Sequence, residues 1–457
     1  ESPPDLDVDD EWRTPSIEKS LEELRSLKPI ITRQELLDLM AANDELRAMG
    51  PAARQVIALT SREGSSIDEI ARTIRQDQAL SLKVLRLSNS TLYCRGERVD
   101  SVKKAVQRIG VTQIRGTVMA MGVVSQFATG GLAGRLKAER FWEHSITTGL
   151  IAQRLAAAQR VPAEEADQMF TAGLLHDIGR MLYAERLGDR YAKVIAEADR
   201  LGLPLETVES RLLLINHADM TDRLLRQWKF PPELINPIAL HHLSVGNIRR
   251  MVPRAVKPVA TLALANRLAH ALLLGSSGND VLYPIEEFVS ALGVSEETVA
   301  QVMRETPEQA FDMKTFMLAN SGDGVDAGCG ALEEARARLG DGVRPLAVAL
   351  RPAVFGSAYT LERLRPLGAA EMPTVAVVRV AAPAERARLI DLLRGRERDT
   401  GAGELPVLVL GSSPGCFFPK GHLGARAVEQ IVSPVRLERV LDALVQLSAR
   451  PAAAAAA

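Results

Sequence analysis

From about residue 15 to about 320, apolar residues return every three or four positions, the spacing that places them on one face of a helix. "SIEKSLEELRSL" (16–27) keeps that period without a capping box, because Lys19 stands where Glu or Gln would reach back. In "SSIDEIARTIRQDQALSLKVLRLSNS" (65–90) Ser66 is placed to act as an N-cap, and Gly110 is placed to separate two helices. The same period predicts helices over 138–159, 164–186, 189–202, 205–228, 231–242 and 254–274, and no strand pattern precedes residue 340.

The pattern then changes. "NSGDGVDAGCGALEEARARLGDG" (320–342) is glycine-rich at both ends and reads as a hinge around a short helix. "RPLAVAL" (344–350), "PTVAVVRV" (373–380) and "LPVLVLG" (405–411) are short apolar, β-branched runs separated by helical stretches such as "PAERARLIDLLRG". That alternation predicts a parallel sheet in a small α/β layer domain. The fold class expected is mainly α: a helical bundle followed by a smaller C-terminal α/β domain.

Composition narrows the function classes. The chain has 457 residues, enough for two to four domains, and is 46% hydrophobic and 25% charged. Lys plus Arg number 56 against 57 Asp plus Glu, so bulk charge gives no affinity for a polyanion. The basic run "RRMVPRAVK" (249–257) reads as a solvated helix face, and nucleic acid is not expected as a partner. Cys94, Cys329 and Cys416 fit no zinc or redox spacing, which points to a reducing cytoplasm. The opening "ESPPDLDVDDEW" reads as a solvated acidic tail, with no secretory signal. Asn266, Arg267 and His270 interrupt the apolar stretch 258–275, so a buried helix is expected there and not a membrane span.

Of seven histidines, five lie within 144–242, in "FWEHSITTG", "LLHDIGR", "LINHADM" and "IALHHLSVG". Each falls on a predicted helix or at its end. Imidazoles on neighbouring helices of a bundle are suited to a shared divalent metal, and the adjacent Asp177 can bridge or complete a shell. A single buried histidine is more often a hydrogen-bonded core residue, and spacing alone does not separate a loaded site from a polar cluster.

The order His144, His176-Asp177, His217, His241-His242 resembles the HD superfamily of metal-dependent phosphohydrolases, and more closely its HDOD branch from bacterial signalling proteins. Residues 74–116 ("IRQDQALSLKVLRLSNSTLYCRGERVDSVKKAVQRIGVTQIRG") are similar to the HDOD N-terminal block, and 216–242 ("NHADMTDRLLRQWKFPPELINPIALHH") to its downstream block. The resemblance implies His144, His176, Asp177, His217, His241 and His242 as metal ligands, with Asn266 where catalytic relatives carry a final aspartate. It implies Arg180 as a phosphate contact where phosphodiesterase relatives carry lysine. The metal implied is Fe, Mn or Zn. Asparagine is a weaker ligand for a dication than a carboxylate, and "LSVGNIRR" (243–250) lacks both the acidic residue and the "GYP" signature of those phosphodiesterases. The resemblance therefore implies a non-catalytic cytoplasmic scaffold working through signalling-protein partners, with homodimerisation as an option. The alternative is a phosphohydrolase acting on a nucleotide or cyclic dinucleotide.

The C-terminal part weakly resembles a response-regulator receiver that has lost its chemistry. Ser412 fits the hydroxyl position, but Ser433 precedes Pro434 where lysine belongs. Arg379 falls at the acceptor-aspartate strand, and Arg351-Pro352 replace the acidic pair. Any small α/β domain could end the same way. The layout expected is a tail and lead-in helix (1–24), an HDOD domain (25–275, divided at 135/136), a helical extension (276–320), a hinge (321–343), an α/β domain (344–450) and an Ala-rich tail (451–457).

Overall fold

The structure, a computed structural model, describes residues 15–41, 51–60, 66–89, 93, 97–111, 113–118, 136–228, 230–318, 330–340, 342–349, 364, 372–411, 414–432 and 435–449. Cys94, Cys329, Arg351, Pro352, Ser412, Ser433 and Pro434, most of the hinge's first half and both tails lie outside the described residues.

The N-terminal half is built from α1 (Pro15–Ser26), α2 (Arg33–Ala41), α3 (Pro51–Thr60), α4 (Ile67–Arg75), α5 (Gln78–Ser88) and α6 (Val102–Ile109). Ser66 caps α4 by accepting from the Glu69 amide, and Gly110, at φ 91°, ends α6. Asn89 closes α5 and clamps the returning chain: its side chain donates to Leu85 O and Val99 O and accepts from Val99 N.

The next helices are α7 (Ala138–Ala158), α8 (Ala163–Leu175), α9 (Ile178–Leu187), α10 (Asp189–Leu201), α11 (Leu205–Leu212), α12 (His217–Gln227), α13 (Pro232–Leu240), α14 (Val245–Met251) and α15 (Val256–Leu272). Two of the predicted helices are each divided. The stretch expected as 164–186 turns at His176-Asp177, where Asp177 sits at φ −103°, ψ 8° with its carboxylate turned inward. The stretch expected as 205–228 breaks over 213–216, where Leu214 has positive φ and Asn216 caps α12. Neither break carries Gly or Pro, so the helical period ran through both. α7 and α8 cross at Gly149 and Gly173, and a Cβ on Gly173 would lie 2.5 Å from the Gly149 Cα. α15 is buried from Val259 to its end, including Asn266 and Arg267. Among the described residues no helix is long and apolar enough to cross a membrane.

After α15 come β1 (Val281–Leu282), α16 (Glu286–Leu292), α17 (Glu296–Leu318) and α18 (Gly330–Leu339). β1 corrects the expectation of no strand before residue 340; two residues are too few to show alternation. The α/β part has β2 (Pro345–Ala349), β3 (Val375–Val380), α19 (Arg386–Thr400), β4 (Val407–Gly411), β5 (Val428–Val432), β6 (Val435–Arg436) and α20 (Leu437–Ser448). β2 to β5 form a parallel sheet in chain order. Successive side chains point to opposite faces. Val375, Val377, Leu408 and Leu410 join the main core with Leu444 of α20, while Ala376, Val378, Val407 and Val409 pack with Leu389 and Leu393 of α19.

Residues 276–286 strap the two parts together. Leu437 N donates to Asp280 O, β1 pairs antiparallel with β6, and Arg379 of β3 bonds Glu286. Arg436 also pairs with Asp199 of α10.

Candidate functional site: a buried histidine–aspartate cluster

Helix ends supply most of the cluster. α8 stops one residue before His176, α12 begins at His217, and α13 runs out into His241-His242; His144 projects from the middle of α7. Helix ends converge here because Gly179, in the first turn of α9, lets α9 and α12 touch. A Cβ on Gly179 would come within 3.0 Å of both the Cα and the carbonyl carbon of His217, and nearer still to its oxygen. The Gly179 amide donates instead to Thr221 Oγ1 of α12.

Asp177, fully buried, is the hub. Its Oδ1 lies 3.0 Å from His217 Nε2 and 3.8 Å from His241 Nε2. Its Oδ2 lies 3.3 Å from His176 Nε2, 3.9 Å from His144 Nε2 and 2.9 Å from Arg180 Nη1. Two tautomers are set by backbone carbonyls, which only accept: His176 Nδ1 donates to Gly173 O and His241 Nδ1 to Ile238 O, both at 2.7 Å. Their Nε2 atoms are left buried, facing Asp177 and without hydrogen-bond partners. This is the orientation in which ligating histidines are usually held.

His217 is doubly engaged. Nδ1 lies 2.6 Å from Glu209 Oε2, and Nε2 is shared between Asp177 Oδ1 and His242 Nε2, 2.9 Å away. Burial and the Arg180 charge oppose a cation there, but Glu209 and Asp177 prevail and lift its pKa to about 9. Burial pushes the Asp177 carboxyl up, yet the Arg180 guanidinium and then His176 and His217 hold it well below the usual range. Burial keeps His144, His241 and His242 neutral, with pKa values well below the ordinary imidazole value.

Arg180, fully buried, turns inward. Besides Asp177 it bonds Ser277 Oγ, and it lies within 4 Å of Glu206 and Glu209. Asn266 faces His144, its Oδ1 3.0 Å from Nε2, so this ring nitrogen donates to the amide oxygen and its lone pair does not face Asp177.

All seven residues named as ligands from the sequence, and Arg180, thus meet in one place. Three further members escaped that reading. His270, four residues after Asn266 on α15, stacks 4.5 Å from His144, and burial lowers its pKa to about 3. Glu209 holds His217, and Glu206 lies 3.4 Å from His242 while accepting from Tyr283 and Asn279. Glu209 was detectable as a carboxylate in register with Leu205 and Leu212 on an apolar face.

As a metal test, the donors form two sets with atoms within 4.8 Å of one another: Asp177 with His217, His241 and His242, and Asp177 with His144 and His176. The first fits a d-block dication, with three imidazoles and a carboxylate. The second is occupied by Arg180 at Oδ2 and turned away at His144, and does not fit.

Histidines from several helix ends thus converge on one histidine–aspartate pair inside a helical bundle. Residues 46–244, a little under half of the chain, match the family model for the HDOD domain. The chain is 26% identical over 207 residues to an uncharacterized protein of Treponema pallidum (strain Nichols), covering 44% of this chain and only 37% of that relative's length. Among solved structures it is similar to an HDOD domain protein of unknown function from Geobacter sulfurreducens (21% identity, 67% of this chain and 94% of that one, TM-score 0.45). It is also similar to a protein of Shewanella amazonensis SB2B provisionally named a phosphohydrolase (25% identity, 61% and 97% covered, TM-score 0.48).

Proposed function

We propose that this protein is a non-catalytic signalling module that acts through protein contacts. The observation that carries the reading is the Arg180–Asp177 pair, 2.9 Å long and sealed from solvent. An arginine that contacts a substrate phosphate must reach solvent-delivered substrate; this one is spent on the carboxylate that a first metal would need. Asn266 adds to this by removing an anion and redirecting His144. The partner expected is another signalling protein, with a second copy of the chain as an option, in the cytoplasm. The working units are an HDOD unit over 25–275, extension 276–320, hinge 321–343 and α/β unit 344–450. For the last, a receiver origin is supported by its parallel sheet; Arg379, where the acceptor aspartate would stand, departs from that pattern and bonds Glu286 and Leu410 O.

The test is turnover. Purified protein supplied with Mn²⁺, Fe²⁺ or Zn²⁺ is expected to hydrolyse neither cyclic dinucleotides nor nucleotides. Hydrolysis abolished by His176→Ala would overturn the proposal in favour of a phosphohydrolase, a reading supported by the unpartnered Nε2 atoms of His176 and His241.

A further inference from the structure

The two oxygens of Asp177 face different surroundings. Oδ2 is bonded to a fixed cation, Arg180, whose guanidinium is held by Ser277 and lies beside Glu206 and Glu209. Oδ1 faces imidazoles: His217 Nε2 at 3.0 Å, His241 Nε2 at 3.8 Å, and His242 beyond His217. A tetrahedral shell with bonds of about 2.1 Å sets its donors roughly 3.4 Å apart. Three of its six donor pairs, at 3.0, 3.8 and 2.9 Å, bracket that value, and all its donors lie within 4.8 Å of one another.

Charge points the same way. Asp177, Glu206 and Glu209 all stand around one guanidinium, that of Arg180, and Glu206 accepts from Tyr283 and Asn279. A second dication placed beside that guanidinium would gather like charge in a buried site, at heavy cost.

We infer that the cluster is a one-ion site, taking a single d-block dication on Asp177 Oδ1, His217, His241 and His242, with the Arg180 guanidinium standing in for a second ion at Oδ2. Glu209 on His217 Nδ1, Ile238 O on His241 Nδ1 and Glu206 beside His242 Nδ1 hold the three rings from behind. This deepens the non-catalytic reading and rests on it, since a lone ion tied to four protein donors has no partner for two-metal chemistry.

The test is stoichiometry on the full chain, stripped with chelator and titrated with Co²⁺ and Zn²⁺. Calorimetry counts equivalents, and the visible bands of four-coordinate Co²⁺ report the shell. One equivalent is expected in the native protein, and one in His144→Gln, with at least a 100-fold loss of affinity in His242→Ala. Arg180→Met, if folded by circular dichroism, is expected to admit a second equivalent. Zero or two equivalents in the native protein overturns the inference, as does loss of the ion in His144→Gln with retention in His242→Ala. A folded Arg180→Met that stays at one equivalent removes Arg180 from the role. Turnover by protein carrying one ion would instead defeat the non-catalytic reading and leave the count intact.

Discussion

Gly179→Ala puts one methyl group between two helix starts. Its Cβ would lie within 3.0 Å of two His217 backbone carbons and closer to the oxygen, whereas carbon contacts are comfortable at about 3.5–4.0 Å. α12 must therefore retreat by roughly 1 Å, taking His217 with it. Overpacking of this kind costs about 1–3 kcal/mol. Weakening the His217 bonds to Glu209 and Asp177, both charge-assisted, adds about 1.5–3 kcal/mol. Alanine's better helix propensity returns about 1 kcal/mol. The net loss is about 3 kcal/mol, which for a unit of this size lowers the melting temperature by roughly 6–12 °C. Gly246→Ala is the control. That glycine lies within α14 and a Cβ there meets nothing closer than 4.0 Å, so neutrality or slight stabilisation is expected. The two variants are compared by thermal and urea melts followed by circular dichroism. A Gly179→Ala protein melting within 2 °C of the native one would refute the close-approach argument.

Three other perturbations have defined outcomes. Glu35 forms a reciprocal cap with Thr32 and pairs with Arg190, and its hydrogen bonds to the Thr32 amide and then to Arg190 lower its pKa to about 2. A depressed carboxyl stabilises above its unfolded value, near 4.5, and loses that effect as pH falls towards 2. The melting difference between native protein and Glu35→Gln should thus be constant above pH 5 and vanish in acid. Asn89→Ala removes three hydrogen bonds at the end of α5 and should cost about 2–4 kcal/mol, with faster amide exchange at Val99; unchanged exchange there would count against the clamp. Arg379→Met breaks the bond to Glu286, which is partly solvated, so a modest loss of about 1–3 kcal/mol is expected. Proteolysis within 276–286 should accelerate, and an unaltered cleavage pattern would argue against the strap.

Much of the site was readable because its histidines are few and each lies on or beside a helix. Helical period located α7, α10, α13 and α15 closely, since their apolar faces are continuous. It failed where the chain turns without Gly or Pro. Asp177 leaves the helix because its carboxylate is drawn into a cluster built from distant segments, an interaction no local window contains. Glu206 was hidden for a related reason: "LETVESRL" reads as an ordinary solvated helix until Tyr283, far along the chain, is brought against it. Sequence placed Arg180 towards a phosphate, whereas in the fold its guanidinium meets Asp177 and Ser277.

The strap has a consequence for exchanging parts between proteins of this kind. Ser277 touches the arginine inside the bundle, and four residues later Val281 is already hydrogen-bonded opposite Arg436. A chimera joined anywhere in the glycine-rich linker would inherit the bundle's half of this ribbon and a foreign half from its new tail. Unless the donor tail presents a matching edge to Asp280–Leu282, the graft leaves open backbone beside the polar core. Tail and bundle are therefore a matched set, transferable only together with residues 276–286.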